Sequence, residues 1–596
     1  MTRLDSMQES SHTDDQVWHK SAPEGVRRAY GRGDQEQGWA RWQEYLANRT
    51  SPVPPHELSA CDGNALLWGT GESTVDANAR RLLLTLGNGL HRQSPWSERA
   101  EAWIERTAAE PLDEARGLEA IAWARILPPA SATLPSSLWW KLLDHLRGLA
   151  REACESPLEK RPLLQQLLGG ELPLTLAYLF PEIAPCRKAA KPARKTLSAG
   201  MLELIDGEGL PNSRILDVFR PLLACWTRCR ILGEHLEKGC SSATAGMQYE
   251  WAVRAAVRLA RPDGSQALSE ADGQTDDSDL LAAALACGGD DNDKAMASLA
   301  LPGRAPLKGI DADRLPLPAD NSSWAAVAVL QPGWGRHEPK LALSYEKPDF
   351  RMELSQQAEL LLDGTWTPEV RLGGELLQPE STWQEMCWVS DKDVDYLELQ
   401  IELSRGARIQ RHIAMARKDR FLFLADAILD GPDESIEYRG RFSLAPDAGL
   451  APAEETHEAF LLGRKAAALL LPLALPEWRT EHSPGRLAST GEAIEFQLSG
   501  QGGALFAPLF FDLKPRRMTQ LATWRRLTVA ADRQVVPPNV AAGYRVMVGK
   551  HQWLIYRSLA APANRTLLGH NLSTELLIAR FDRTGEVESL IEIEGE

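Results

Sequence analysis

The spacing of hydrophobic residues changes once along this chain, near residue 324. Before that point, apolar residues recur at intervals of three and four, which is the repeat of one helix face. After it, apolar and polar residues alternate, which is the repeat of a strand with one buried face. The pattern therefore predicts a helical half followed by a β half.

The first half predicts many helices of medium length. Gly, Pro or short polar loops separate them, and short connections favour antiparallel neighbours. No fixed repeat period is present, which disfavours a solenoid, and an (α/α) toroid fits better than a four-helix bundle. The predicted helices are 39–49, 77–90, 98–110, 114–127, 137–153, 158–168, 193–205, 214–236 and 245–260.

The second half predicts a large antiparallel β-sandwich, because its many short strand patterns follow one another without helical spacers. We therefore expect an α+β multidomain protein, in which an N-terminal all-α toroid precedes a C-terminal all-β sandwich. The predicted parts are a flexible polar arm (1–30), the toroid (31–300), a proline-rich linker (301–323) and the sandwich (324–596).

Composition narrows the classes of partner. The chain is 43% hydrophobic and 25% charged, as in a globular rather than a disordered protein. Its net charge of −16 argues against nucleic acid and against an anionic membrane as the main partner, since both select positive surfaces. An acidic sugar bound in a locally basic cleft stays compatible with this charge.

Cysteines and the N-terminus indicate the compartment. Among the eight cysteines only Cys225 and Cys229 are close, at the spacing of one helix face, and buried thiols are favoured over structural zinc. The N-terminus lacks the apolar segment of a signal peptide, and no long apolar run follows. We expect a cytoplasmic protein, with the periplasm or cell envelope left open.

Four stretches carry a resemblance: 167–182, 204–229, 382–428 and 564–581. They resemble the heparinase II/III-like family of polysaccharide lyases, which join an (α/α) toroid to an antiparallel β-sandwich. The resemblance implies an acidic polysaccharide as the partner and β-elimination as the reaction. In that reaction a base takes the proton at C5 of a uronic acid, an acid protonates the leaving oxygen, and the sugar carboxylate is neutralised.

The sequence departs from the family at its Asp-Gly motif. That motif matches Asp206 and Gly207, and family members commonly have a catalytic tyrosine on the helix that follows. Leu216 stands at the tyrosine position here, and Asp217 stands where a histidine is usual. The resemblance therefore implies that the usual helix tyrosine is replaced.

A second departure lies in the segment 331–346, where the hydrophobic pattern changes. Aligned with the family's His-x-His-x-Asp cluster, His337 takes the first position, Pro339 the second and Leu341 the last. Neither proline nor leucine can bind a metal through its side chain, so we expect no metal and no other cofactor. His337 is our candidate base, and the alternative is a loop histidine beside Glu338.

Five other residues are candidate substrate-binding or catalytic groups. Asn212 and Arg214 follow the Asp-Gly motif and could grip a carboxylate, or Asn212 could cap the next helix. Tyr249 could replace the missing tyrosine, and Trp251 and Arg254 could offer a stacking face for a sugar. Core packing is the alternative for these last three.

Two groups of basic residues complete the candidates. Arg411 and Arg417 fall on one face of a predicted strand, which either binds anionic sugar or faces solvent. Lys514, Arg516, Arg517, Arg525 and Arg526 form the densest basic cluster of the chain, with a solvated rim as the alternative reading.

The sequence thus predicts a heparinase II/III-like protein that acts on or binds an anionic, uronic-acid-containing polysaccharide. Whether it is a diverged lyase or has lost elimination chemistry stays open. The alternative from another class is an interaction protein that binds a protein or a cell-envelope glycan without turnover. Glycoside hydrolysis would require two carboxylates facing each other across a groove.

Overall fold

The structure is a computed structural model. It describes residues 17–53, 55, 58, 65–71, 74–87, 95–155, 157–158, 160–269, 278–305, 307–311, 314–346, 348–561, 563–582 and 584–594.

The chain forms two compact units that differ from the predicted domains. The first unit comprises Met1–Pro211, Ile215–Ala256 and Glu270–Asp293, and the second comprises Asn212–Arg214, Val257–Ser269 and Lys294–Glu596. Three stretches of the predicted toroid thus belong to the β unit: 212–214, 257–269 and 294–300.

An ion pair explains why the segment Val257–Ser269 belongs to the β unit. Arg261 binds both oxygens of the buried Glu353, at 2.9 and 2.5 Å. The backbone N–H of Leu268 donates to the same carboxylate at 2.6 Å. These partners lie far apart along the chain, so hydrophobic spacing could not reveal them.

The helical prediction for the first half is confirmed. One π-helical turn, Gln166–Glu171, interrupts the helices, and 3₁₀ turns cover Ala65–Leu67 and Ser213–Val218. The helices are Glu24–Tyr30, Gln35–Asn48, Ala77–Gly87, Trp96–Ala109, Glu114–Ala130, Ser136–Glu155, Pro162–Gln165, Leu172–Leu179, Ala184–Glu203, Phe219–Gly233, Ala243–Arg258, Ser278–Gly288 and Asp291–Ala300.

The predicted flexible arm is wrong for residues 17–30. The helix Glu24–Tyr30 buries Val26, Ala29 and Tyr30 at spacings of three and one. Trp18 packs edge-on against Trp42, with ring centroids 4.9 Å apart. Aromatic packing therefore orders a segment whose sequence is mostly polar; the rest of the predicted arm, residues 1–16, lies outside the described residues.

A buried ion pair lies inside the helical unit, at the π-helical turn. Arg228 donates from Nε and Nη2 to the two oxygens of Glu171, each at 2.8 Å. Arg125 lies 3.4 Å from the same carboxylate, and burial lowers its pKa to about 10. Burial alone would also lower the pKa of Arg228, but the charge and hydrogen bonds of Glu171 outweigh it and raise that pKa.

The β unit contains four antiparallel sheets. The strands are β1 (Asp320–Ser322), β2 (Val327–Leu330), β3 (Lys340–Ser344), β4 (Arg351–Gln356), β5 (Glu359–Leu372), β6 (Glu375–Leu376), β7 (Gln384–Ser390), β8 (Val394–Glu402), β9 (Arg408–Ala416), β10 (Phe421–Leu429), β11 (Ser435–Leu444), β12 (Gly449–Pro452), β13 (Ala459–Leu462), β14 (Ala466–Pro472), β15 (Gly485–Ser489), β16 (Ala493–Gln501), β17 (Leu505–Asp512), β18 (Ala522–Leu527), β19 (Val529–Ala531), β20 (Gln534–Val535), β21 (Ala541–Val548), β22 (His551–Ser558), β23 (Arg565–Leu567), β24 (His570–Leu572), β25 (Leu576–Phe581) and β26 (Val587–Ile593). In sheet order these are β1-β2-β3-β4-β5-β11-β16-β15 with β6 beside β5, β12-β13-β14-β17-β10-β9-β8-β7, β18-β21-β22-β25-β26, and β20-β19-β23-β24.

The eight-stranded sheet is buried on both faces. One face packs against the nine-stranded sheet, where Ile413 and Leu424 join Trp366 in one apolar cluster. The other face packs against the five-stranded sheet, where Phe423 joins Trp553. This confirms the sandwich and explains why strands β9 and β10 are buried almost along their whole length.

A polar triad lies within the second of these interfaces. The Tyr396 hydroxyl donates to Glu398 Oε2 at 2.6 Å and lies 2.9 Å from His412 Nδ1. Burial alone would raise the pKa of Glu398. The positive charge of His412, 3.6 Å away, and the hydrogen bond from Tyr396 outweigh burial and lower that pKa to about 2.

Stability in acid should therefore depend on Glu398. A glutamate in the unfolded chain has a pKa of about 4.3. The lowered pKa of Glu398 therefore stabilises the fold above that pH, and this stabilisation is lost as the pH falls towards about 2. We expect Glu398→Gln to reduce the change in stability between about pH 5 and about pH 2 by on the order of 3 kcal/mol. Hydrogen exchange in β8 and β9 across this pH range measures it. The exposed Glu437→Gln is the control, and the same pH dependence in all three proteins would contradict the prediction.

Candidate functional site

The turn between β2 and β3 holds His337 at its exposed tip. Pro339 is buried just before β3, and Leu341 is fully buried, paired with Leu330 and Leu354 on the neighbouring strands. The two positions that the family fills with a histidine and an aspartate thus hold apolar packing residues. This donor set does not fit the metal that the resemblance implies.

The turn is fixed around His337 by its neighbours. Glu338 pairs with Arg420 at 2.8 Å, and the backbone N–H of Arg336 donates to Leu299 at 3.0 Å. Trp334 donates from its indole to the carbonyl of Pro316 at 2.8 Å. The imidazole therefore stands on an anchored turn and is open to solvent, which fits both the candidate base and the loop histidine.

The segment Asn212–Arg214 is tied to the β unit by hydrogen bonds. Asn212 accepts from the backbone N–H of Arg214 at 3.1 Å, as the capping alternative requires, and its amide donates to the carbonyl of Trp324 at 3.3 Å. Ser213 and Arg214 both donate to the carboxylate of Glu346. Arg214 is 76% exposed, so a ligand carboxylate that reached it would compete with Glu346.

Sequence reasoning missed two residues of this cluster, Trp324 and Glu346. Trp324 is 53% exposed on the turn between β1 and β2, beside the amide of Asn212. An exposed tryptophan next to an amide and a guanidinium is a common surface for carbohydrate. The sequence signal that could have identified Trp324 is its position next to the polar residues 320–323, which predict a turn.

Tyr249 is buried in the helical unit rather than open to a ligand. Thr227 donates its own hydroxyl hydrogen to the carbonyl of Leu223 at 2.7 Å, so the Tyr249 hydroxyl donates to Thr227 at 2.9 Å. Burial raises the pKa of Tyr249 well above its ordinary value. The proposed catalytic role is thereby corrected to the packing alternative, since the hydroxyl cannot meet a substrate.

Trp251 and Arg254 form an aromatic and cationic pair on the same helix. The guanidinium carbon of Arg254 lies 4.6 Å from the Trp251 ring centroid, and Trp251 is 41% exposed. Arg254 is held by Asp293 at 2.7 Å and by Asp290 at 3.2 Å. The arginine is therefore oriented by acidic partners, while the tryptophan remains accessible.

The Asp-Gly motif lies directly beside this pair. Asp206 accepts from the backbone N–H groups of Glu208 and Leu210, at 2.9 and 2.8 Å, and so closes a tight turn. Gly209 has φ +94°, and a Cβ there would lie 2.3 Å from the Trp251 backbone. Glycine is required for this close contact, and the motif thus places its turn against the helix at the exposed tryptophan.

The prediction that Arg411 lies on a strand surface is wrong. It is fully buried and donates to both oxygens of Asp426, at 2.8 and 2.9 Å. Its guanidinium carbon lies 3.5 Å from the centroid of Trp366 and 4.4 Å from that of Trp383. The sheet has no solvent face at β9, so the strand repeat that suggested a binding surface marks the sandwich core.

Arg417 is also wrong as a surface residue. It is 8% exposed and binds Asp395 through Nη2 at 2.5 Å and Nε at 3.1 Å. Ser390 accepts from the same guanidinium at 2.9 Å. Arg417 therefore closes the end of the central sheet and has no free donor face for a sugar.

Comparison with known proteins rests on structure. No protein-family model matches the sequence, and neither does any curated protein. The crystal structure of heparinase III is similar over 92% of this chain and 99% of that one, with a TM-score of 0.63 and 11% identity. The heparan sulfate lyase of Pedobacter heparinus is similar over 91% of this chain and 98% of that one, with a TM-score of 0.57 and 11% identity.

The chain has the heparinase III fold. At 11% identity this similarity establishes the architecture alone, and it confirms the predicted order of toroid and sandwich. Within the heparinase III fold, the helical unit brings Trp251 and Arg254 together. The β unit groups Asn212 with Arg214, and it holds His337 on the turn before β3.

One buried group in the helical unit has metal-like spacing. Ligand atoms of Glu171, Cys225 and Cys229 lie within 4.8 Å of one another. However, Arg228 occupies both oxygens of Glu171, and burial raises the pKa of both thiols. Protonated thiols beside an arginine do not suit a cation, so the group fits the predicted buried thiols. Among the described helices, none is both long and apolar enough to cross a membrane.

Proposed function

We propose that the protein binds an anionic polysaccharide containing uronic acid and does so without β-elimination. The observation that carries this proposal is the exposed face of Trp251 beside the turn Asp206–Leu210. Support comes from the shared fold with heparinase III and with a lyase named for heparan sulfate. The overall negative charge requires that binding be local, at such aromatic and cationic sites.

The chemistry of these sites suits a uronate chain. An indole ring packs against the apolar face of a sugar, and a guanidinium binds a carboxylate through two parallel hydrogen bonds. Arg214 presents an exposed guanidinium that Glu346 keeps in position. Trp324 adds a second exposed indole beside it. Each unit thus offers one exposed tryptophan with an arginine close to it.

Turnover would need more than these surfaces provide. Elimination requires a base and a proton donor at the sugar. Of the two groups predicted for these roles, Tyr249 is buried and bound to Thr227, while His337 is exposed. Binding without turnover therefore agrees better with the described residues than acid–base catalysis does.

Elimination with His337 as the base is the second candidate, because its imidazole is exposed on an anchored turn. It would produce unsaturated uronates, which absorb ultraviolet light. Incubation with a panel of uronate polymers tests it, with His337→Ala as the matched variant. Absorbance that appears with the natural protein and disappears with His337→Ala would replace the binding proposal by this one.

Trp251→Ala should weaken binding of the recognised polymer by at least about tenfold, because truncation of a central aromatic contact commonly costs that much. Isothermal titration with heparan sulfate, chondroitin sulfate, alginate and a neutral glucan measures it. Trp478→Ala is the control, since Trp478 is 43% exposed, close to the 41% of Trp251. Equal affinities for the two variants, or equal binding of the neutral glucan, would contradict the proposal.

A further inference from the structure

An uncompensated basic surface lies at one edge of the five-stranded sheet. Strand β18 is the outermost strand of this sheet and pairs with β21 alone. The surface consists of four exposed residues and the half-buried Lys514, and we call it the basic edge: Lys514, Arg516, Arg525, Arg526 and Lys550.

The loop before β18 is rigidly attached to the sandwich. Arg517, predicted as part of a solvated rim, is instead buried, and it binds Asp512 at 2.6 and 2.7 Å. It also donates to the carbonyl of Asp419 at 2.5 Å and lies 5.1 Å from the Trp553 ring centroid. This anchor fixes the short helical turn Pro515–Arg517 and turns the side chain of Arg516 to solvent.

Local acidic groups do not neutralise the basic edge. Asp512 is bound by Arg517, and the nearby Asp419 is bound by Arg580 at 2.7 Å. Within the described part of the chain, none of the five residues of the basic edge forms an ion pair. Burial lowers the pKa of His551, and the positive charges of Arg517, Lys514 and Lys550 lower it further. At least two charges of the basic edge, those of Lys514 and Lys550, therefore act at one place in a protein of net charge −16.

Leu521 is an exposed apolar residue on the loop that leads into β18. It is 78% exposed, the highest fraction among the exposed large apolar side chains in the described part of the chain. Its carbonyl accepts from the backbone N–H of Gly549 at 2.9 Å, which joins the loop to the hairpin that carries Lys550. Arg516 precedes Leu521 on this loop, and Arg525 follows it on β18. An exposed apolar side chain on a loop that also carries cations matches the boundary between lipid headgroups and acyl chains.

We propose that the basic edge and Leu521 dock the protein on an anionic phospholipid membrane, independently of the polysaccharide-binding proposal. Arginine and lysine bind the headgroup phosphates, and Leu521 enters the apolar boundary beneath them. The net charge argued against such a partner, but charges beyond the Debye length of about 8 Å are screened. Thus a local cluster acts on the membrane even though the rest of the chain is acidic.

Vesicle co-sedimentation of the full chain tests this proposal. One set contains phosphatidylglycerol and phosphatidylcholine in equal parts, and the other contains phosphatidylcholine alone. We expect binding to the first set only, weakened as the salt concentration rises from about 0.1 M to about 1 M. Arg516→Gln together with Lys550→Gln should lower the partition coefficient about 25-fold, since each charge near the surface is worth about fivefold.

Leu521 distinguishes a membrane from a soluble polyanion. Leu521→Gln should lower partitioning about tenfold, through loss of apolar burial, while Leu568→Gln, at another exposed leucine of the same unit, should leave it unchanged. Equal effects of these two variants, equal binding to neutral vesicles or no binding at all would overturn the proposal. Full displacement by heparan sulfate with no effect of Leu521→Gln would do so too, and would make the basic edge a polysaccharide surface. Trp251→Ala should not alter vesicle binding, which separates the two proposals.

Discussion

Arg411→Met is expected to lower the free energy of unfolding of the β unit by about 3 to 5 kcal/mol. The substitution leaves Asp426 fully buried with only the Tyr438 hydroxyl, at 2.8 Å, among its present side-chain partners. Breaking a buried ion pair costs far more stability than breaking a surface pair, because water cannot solvate the carboxylate that is left unpaired. Hydrogen exchange in β9 and β10 under increasing denaturant measures the loss for this unit alone.

The control for this prediction is Arg464→Met, since Arg464 is 84% exposed and pairs with Glu359 at 2.7 Å. Surface pairs of this kind contribute about 0 to 1 kcal/mol. The double variant Arg411→Met with Asp426→Leu should recover part of the lost stability, because it removes the unpaired charge as well. A single variant no less stable than the control would contradict the prediction, because the buried ion pair would then contribute no more than a surface pair.

Arg228→Met should have a similar effect in the helical unit, again about 3 to 5 kcal/mol. It removes two 2.8 Å hydrogen bonds from the fully buried Glu171. Arg125, at 3.4 Å, is too distant to replace them without movement of the π-helical turn. Hydrogen exchange in the helices Glu114–Ala130 and Phe219–Gly233 reports the loss.

Arg147→Met provides the matched control, because Arg147 is 25% exposed and pairs with Asp144 at 2.7 Å, where Asp144 is 66% exposed. Glu171→Gln combined with Arg125→Met and Arg228→Met should be less destabilising than Arg228→Met alone, since none of the three charges of this cluster is then left buried. The reverse order of these two would mean that the hydrogen bonds of Glu171 matter more than its charge.

Hydrophobic spacing predicted the fold well, because both halves have a consistent repeat. Three-and-four spacing gave the toroid helices, and alternation gave the strands of the sandwich. Hydrophobic spacing failed where a strand is buried on both of its faces. The segment β8 to β10 belongs to a sheet covered on both sides, so alternation there separates two cores rather than core from solvent.

The site was harder to predict than the fold. Arg411 and Arg417 have the residue types of an anion-binding surface, yet their acceptors, Asp426 and Asp395, come from neighbouring strands. Strand register decides such pairs, and register cannot be read from one strand. Trp251, by contrast, was predicted as a stacking face for a sugar from its residue type and its position on a helix. Its exposure in the structure is compatible with that prediction.

The sequence order of the two units has a consequence for how this protein can be divided. The chain passes from one unit to the other at residues 211, 214, 256, 269 and 293. A fragment that began at residue 324 would lack Arg261 and so leave the buried Glu353 without its guanidinium. No single cut of the chain yields two whole units, so neither unit can be produced intact as one continuous fragment.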